Sequence, residues 1–279
     1  MAFLAVFKPN YCSSNWHINC CVRGRMNISL FQAASAMEGA QQRQNVIAEN
    51  LAASGIPGFK RHNVGFHSVS ADMFNKELQG AEKTQLRYML PRITGHIDFQ
   101  QGTLVRTGDP NSLAIDGPGF FAVDGPQGTM YTRDGSFHVN ALGQLVSKEG
   151  YPLRQAGGGA PITVATDTNV PISIGPDGTV SQGGAPLGQI EVTAFPEDSL
   201  KQLKRLNAGY FSANGVTPVP VNPQETKVAQ GFVEGANTTP MKEMGELMTS
   251  LRHFEANQRI MKIHDEHMGR LIRDLSNTQ

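Results

Sequence analysis

Apolar side chains recur at helical spacing at both ends of the chain and nowhere between. Near the start, Leu30, Ala33, Met37, Ala40, Ile47 and Leu51 fall on steps of three and four residues or their sum. Near the end, Met244, Leu247, Leu251, Phe254, Met261, Met268, Ile272 and Leu275 follow the same rule. That spacing is the seam of a coiled coil. It predicts one helix over about 28–53 and a second over about 240–275. Ser29 is placed to cap the first helix. Gly55 suits its left-handed C-terminal cap, and Pro57 forbids continuation. Thr238 or Thr239 can cap the second, with Pro240 at the first helical position. The second helix would be about 50 Å long. Isolated helices are marginal in water, so each seam needs a partner.

The middle reads as short strands and turns. Leu113-Ala114-Ile115 and Phe120 to Val123 are apolar strand cores separated by Asp116-Gly117-Pro118-Gly119. Arg133-Asp134-Gly135-Ser136 lies between Met130-Tyr131-Thr132 and Phe137-His138-Val139, and Asp-Gly between apolar runs signals a hairpin. Asn140 to Gly143, Lys148-Glu149-Gly150 and Pro176-Asp177-Gly178 continue the series, and Gln189 to Phe195 alternates as a strand. Residues 59–78 fit either a short amphipathic helix or an irregular packed segment. The expected class is α+β: a central all-β body of short antiparallel strands, with long terminal helices pairing as a coiled-coil-like assembly region. The expected divisions are 1–25, 26–60 (N-terminal assembly helix and turn), 61–99 (connector), 100–230 (β domain) and 231–279 (C-terminal assembly helix).

Composition narrows the function classes. The chain has 279 residues, with 24 basic and 24 acidic side chains and no basic stripe, so nucleic-acid binding has no electrostatic support. No apolar run approaches the ~20 residues of a membrane span. The first 25 residues hold all three cysteines, the single tryptophan and no acidic residue. Their apolar piece is too short for a secretory signal. The expectation is a start annotated too far upstream, with translation beginning at Met26. His264 and His267 are three apart on a helix, but no third metal ligand is implied, and His264 is read as part of a solvated face. Asp265 and Gln258 interrupt the C-terminal seam as polar register markers. Asp109, Asp116, Asp124 and Asp134 each sit beside Gly or Pro, where Asp serves turns. No nucleophile–base arrangement or phosphate loop is discernible, so no catalytic residue, metal or cofactor is expected.

Three blocks carry a resemblance. Asn45 to Ala53 followed by Pro57-Gly58-Phe59-Lys60-Arg61 resembles the N-terminal signature of the flagellar rod, hook and hook-associated proteins. Gln101 to Leu104, Thr107-Gly108, Leu113 to Gly117, Tyr131 to Phe137 and Gly143 to Val146 are similar to the family's central block. Gln230 to Asn237 and Arg252 to Asn257 are similar to its C-terminal signature. Glu49 and Ala53 stand where asparagines are common, Ile56 where threonine is, and Gly235-Ala236 where a serine is. The resemblance implies a non-enzymatic structural subunit of the flagellar basal-body rod. It would assemble with copies of itself and neighbouring rod subunits, leave the cell through the flagellar type III export apparatus without a cleaved signal, and carry torque toward the hook. The segment Pro196 to Leu200 favours the proximal over the distal rod type. The assembly interface is expected at Leu30, Met37, Ile47, Asn50, Leu51, Met244, Leu247, Leu251, Phe254, Met261, Met268 and Ile272. Motif turns are expected at Pro57, Gly58, Phe59, Gly231, Glu234 and Asn237. The alternatives are a distal-rod or hook-type axial subunit or, in a different class, a secreted β-rich binding module.

Overall fold

The computed structural model describes residues 28–71, 88–126, 128–158, 161–165, 170–207, 209–221 and 225–277. The segment 1–25 lies outside them. Helix α1 spans Ile28–Ala52. Strands β1 (His62–Ala71) and β2 (Tyr88–Ile97) form a two-stranded sheet. Next come β3 (Leu104–Arg106), β4 (Leu113–Asp116), β5 (Phe120–Gly125), β6 (Gly128–Thr132), β7 (His138–Val139) and β8 (Leu145–Val146). They are followed by β9 (Ile172–Ile174), β10 (Thr179–Gln182), β11 (Ala185–Gln189), β12 (Val192–Ala194) and the short helix α2 (Glu197–Leu200). The chain continues through β13 (Lys204–Asn207), β14 (Tyr210–Ser212), β15 (Val219–Pro220), β16 (Lys227–Gln230), β17 (Phe232–Glu234) and helix α3 (Pro240–Ser276). The architecture is α+β, with a body of antiparallel strands and a C-terminal helix. Two compact units are distinguished. The larger comprises Arg43–Gly65 and Thr94–Thr249, and the smaller takes the remaining described residues.

The larger unit is built on a six-stranded antiparallel sheet in the order β13-β14-β6-β5-β12-β15. Strand β5 explains its own unbroken apolar run. Side chains alternate across a strand, and both faces of β5 are covered. Phe121 and Val123 join a core with Leu113, Ile115, Leu145, Leu153 and Ile190. Phe120 and Ala122 join a second core with Tyr131, Phe195, Leu203 and Phe211. In that second core Phe120 meets Phe211 edge-on at 5.8 Å and Tyr131 meets Phe195 at 4.9 Å, the edge-to-face geometry aromatic rings prefer.

Four expectations are corrected. Residues 62–71 form a strand rather than a short helix or an irregular segment, and 72–78 lie outside the described residues: Val64 and Phe66 sit at two-residue spacing among Gly65, Ser68 and Ser70, which are weak helix formers. Asp134-Gly135 does not close a hairpin. Strand β6 pairs with β5 and β14, while β7 pairs with β8. Gly135 instead lets the loop touch β4, where Leu113 N donates to Gly135 O at 2.9 Å. Gly55 is not the left-handed residue of its turn; Gly58 is, with φ +68°. Ser29 lies inside α1 rather than capping it. Other turns form as read: β9 and β10 flank Pro176-Asp177-Gly178 as a hairpin, and Asn140 to Gly143 joins β7 to β8. The carboxylates of Asp109 and Asp134 accept from the amides of Asn111 and Ser136, each bracing its own turn.

The return of the chain positions the site. Strand β16 pairs with β4, and β17 pairs with β3, with Glu234 opposite Leu104. The last strands before α3 are thereby laid against the start of the β body.

Candidate functional site

Three segments distant in sequence converge in the larger unit. The first is the turn after α1, Pro57 to Arg61. The second comprises residues 98–117 and the loop at Arg133. The third runs from Glu234 to Glu246. Gly58 is what allows the closest approach. A side chain there would place its first carbon 2.3 Å from Asp134 N. The amide of Gly58 instead donates to Glu234 O at 2.6 Å.

Two polar clusters hold the convergence. In the first, the Glu234 carboxylate is fully buried, at 0% exposure. Its Oε1 accepts from Lys60 Nζ at 2.6 Å and from Gly102 N at 2.8 Å, and its Oε2 accepts from Arg133 Nη1 at 3.0 Å. Lys60 Nζ also donates to Gln100 O, and Arg133 Nη2 to Gly117 O. Burial pulls the Lys60 ammonium below its ordinary pKa, with Glu234 opposing the shift. Burial lowers that of Arg133 in the same way, again against Glu234. In the second cluster, Arg61 Nε donates to Glu243 Oε1 at 2.6 Å and Arg61 Nη2 to Glu246 Oε1 at 2.7 Å. Glu243 also accepts from Thr238 Oγ1 and Asn50 Nδ2. Asn50 further bridges both backbone groups of His62, using its two amide ends.

Asn237 ties the clusters together. Its Oδ1 accepts from Arg61 N at 2.6 Å, while its Nδ2 donates to Asp98 O at 2.8 Å and to Gln100 O at 3.2 Å. Phe59 is 1% exposed and lies under the Arg205 guanidinium, whose Cζ is 4.3 Å from the ring centre. Arg205 also donates to Lys60 O and pairs with Glu49 at 3.0 Å. Glu49, one of the departures from the resembled pattern, therefore has a charged partner of its own.

The motif-turn residues meet at this joint: Gly58, Phe59, Glu234 and Asn237 are in it. Pro57 is half-buried beside it. Gly231, with φ +79°, lies between β16 and β17 and accepts from the amides of Thr107 and Gly108. The helical residues divide. Ile47 and Asn50 are buried, and Met37, Leu51, Leu247, Phe254, Met261 and Met268 are half-buried. Met244, Leu251 and Ile272 are exposed, at 49%, 44% and 62%. The side chain of Leu30 lies outside the described ones. The covered stripe of α3 runs through Glu243, Leu247, Ser250, Phe254, Asn257, Met261, His264 and Met268. Every second member is polar, so a reading of apolar letters alone drifts off it. His264 is on this stripe rather than on a solvated face, and Asp265 and Gln258 are exposed rather than interrupting it. Contacts to α1 are polar as well: Arg43 pairs with Glu246 in the larger unit, and Ser250 Oγ donates to Ala40 O in the smaller.

Lys60, Arg61, Arg133, Glu243 and Arg205 were not anticipated as site residues. The available signal was charge embedded in apolar motif blocks, as in Phe59-Lys60-Arg61 and Tyr131-Thr132-Arg133. Buried charges are rare unless paired. Among the described residues, no group of three or more His, Cys, Asp or Glu is placed to hold a metal ion. No helix among them is long and apolar enough to cross a membrane. Chemically, the carboxylates of the joint are occupied by cations, amides and a hydroxyl of the same chain, while the buried Nε of Arg133 and of Arg205 has no hydrogen-bond partner among the described residues.

Two family models match the chain. One, described as the flagellar hook protein FlgE/F/G D1 domain, covers residues 114–182. The other, the flagellar basal body rod FlgEFG protein C-terminal, covers residues 229–274. The chain is 34% identical over 239 residues to the flagellar basal-body rod protein FlgF of Mesorhizobium japonicum, spanning 85% of this chain and 93% of that protein. It is 30% identical to FlgF of Caulobacter vibrioides, over 85% of this chain and 93% of the relative. To the rod protein FlgG of Bacillus subtilis it is 32% identical, over 88% and 97% respectively.

Proposed function

The chain belongs to the family of flagellar basal-body rod proteins, and from that premise we propose that it is a structural rod subunit that polymerises through its terminal helices and passes motor torque toward the hook. The observation that carries this reading is a second apolar row on α3. Met241, Met244, Met248 and Leu251 follow steps of three and four residues and are exposed at 82%, 49%, 64% and 44%. Ile260, Ile263, Leu271, Ile272 and Leu275 are exposed farther along the same helix. The helix is 37 residues long, about 55 Å. Burying each such side chain against a neighbour contributes ~1.5–3 kcal/mol. A contiguous exposed apolar surface marks an interaction site.

On this reading the half-buried stripe of α3 packs with α1 in a coiled-coil-like pair, and the exposed row meets neighbouring subunits. Met244, Leu251 and Ile272 then serve the interface between subunits, while Leu247, Phe254, Met261 and Met268 serve the pair. The joint around Glu234 and Asn237 fixes the root of α3 to the β body, so a force on the helix reaches the body through short charged contacts. The partners are copies of this chain and adjoining rod subunits. The place is the basal-body rod where it crosses the periplasm, reached through the flagellar type III export apparatus without a cleaved signal. The proximal type is favoured because the chain reads Pro196-Glu197-Asp198-Ser199-Leu200 where an Asn-Pro-x-Gly-Leu-like segment is expected of the distal type.

The test is swimming together with electron microscopy of basal bodies from strains carrying Leu251→Asp or Phe254→Asp. Each change places an unpaired charge in a proposed contact. Rods should be absent or truncated. Normal rods in both strains would overturn assembly through this helix.

A further inference from the structure

Glu234 places one carboxylate between two buried cations. Lys60 and Arg133 are 1% and 4% exposed, and they precede Glu234 by 174 and 101 residues. Besides Glu234, Lys60 feels the like charge of Arg133, which opposes its own, and the carboxylate of Asp98, which favours it. The main chain of the same residue is equally committed. Glu234 O accepts from Gly58 N, and the next amide, Gly235 N, donates to Thr103 O. One residue of the C-terminal segment therefore holds the N-terminal turn, the entry to β3 and the loop after β6.

The consequence follows from the electrostatics of burial. Two cations without the carboxylate would face each other away from water. Removing one member of a buried ion group is far more damaging than replacing the group, because it leaves an uncompensated charge. Before β17 is in place, the pocket that receives Lys60 has no carboxylate from Glu234 to receive it. Before Lys60 is in place, Glu234 has only Arg133 and one amide.

We propose that Glu234 is a conditional lock, which makes docking of the Pro57–Arg61 turn and closure of strand β17 a single event. The larger unit then completes its fold only around a chain whose two ends are both in position. This goes beyond the rod-subunit reading and does not depend on it. The other possibility is that each segment docks by itself and Glu234 supplies one local bond.

The experiment is hydrogen exchange on the purified full chain, comparing wild type, Glu234→Gln, Lys60→Met and the double variant. The amides read are Gly58, Gly102 and Gly235. Glu234→Gln should lower protection at least tenfold at Gly58 as well as at Gly102 and Gly235. Lys60→Met keeps the neutral Arg133–Glu234 pair and should leave Gly235 protected. The double variant should be better protected than Glu234→Gln, because the stranded ammonium is gone. Loss of protection confined to Gly102 and Gly235, with Gly58 as in wild type, would overturn the lock. So would a double variant no better than Glu234→Gln. If Glu234→Gln yields no folded protein, Arg133→Met is added to the double variant so that no buried cation is left without a carboxylate: a folded triple variant supports the lock, and an unfolded one refutes it.

Discussion

Replacing Asn237 with alanine tests the joint at a side chain whose three hydrogen bonds all go to backbone groups. The change removes three hydrogen bonds, to Arg61 N, Asp98 O and Gln100 O. A neutral hydrogen bond contributes about 0.5–1.5 kcal/mol net, and a buried donor left without an acceptor costs ~1–3 kcal/mol. Arg61 N, whose bond is part-buried, would lose its acceptor, while the two carbonyls each keep a lone pair able to find water. The expected loss is about 3 kcal/mol in the larger unit. With a urea slope of about 3 kcal/mol/M, the upper end for small domains, the midpoint should fall by about 1 M without a change in slope. Asn237→Asp is the informative companion. It keeps the acceptor for Arg61 N but points an oxygen at two carbonyls, so it should destabilise at least as much at neutral pH and recover on acidification as the carboxyl protonates. The assay is urea unfolding followed by far-ultraviolet circular dichroism, with hydrogen exchange at Arg61 N as the local probe. Midpoints within about 0.2 M of wild type for both variants, with Arg61 N still protected, would refute the claim that Asn237 ties the segments together.

Two further outcomes follow from the same geometry. Gly135→Ala would place a methyl 1.5 Å from Leu113 O, a contact that backbone must move to relieve. Loss of soluble folded protein is expected, measured by yield and thermal melt, whereas a wild-type melt would show that the Gly135–Leu113 approach is not needed. Burial raises the Asp134 carboxyl above its ordinary pKa, Glu149 adding to the shift and the Ser136 amide opposing it. A folded-state pKa above the unfolded one means that the stability it contributes is present in acid and is lost as pH rises through that folded value. Asp134→Asn keeps the acceptor for Ser136 N and should therefore be more stable than wild type at pH 7, with the difference closing as pH falls into the carboxylate range. A constant difference from pH 7 to pH 4 would contradict it.

What the sequence disclosed and what it concealed divide by the range of the interactions. Pro240 at the start of α3, the hairpin at Pro176-Asp177-Gly178 and the turn Asn140 to Gly143 are fixed by backbone preferences within a few residues, and all were legible. Asp134-Gly135 carries the same local signal yet makes no hairpin, because β6 takes β5 and β14 as neighbours and Gly135 is held by Leu113. The stripe on α3 was half legible. Leu247, Phe254, Met261 and Met268 declare themselves by hydrophobicity. Glu243, Ser250, Asn257 and His264 share that face as polar residues and are silent to a count of apolar positions. The joint was least legible. Motif blocks containing Lys60, Arg133 and Glu234 could be recognised, but nothing in them says that one carboxylate serves both cations. That pairing exists only once β17 lies against β3.

The central claim is that this chain is a rod subunit whose C-terminal helix meets its neighbours through the exposed row Met241, Met244, Met248 and Leu251. Photo-cross-linking within intact basal bodies addresses it directly, with a photoreactive residue at Leu251 and, as control, at Asp177 on the exposed β9–β10 turn. Capture of a second axial subunit from position 251, with little or none from 177, is the predicted result. Normal, motile basal bodies in which position 251 yields no adduct to another subunit would contradict the account.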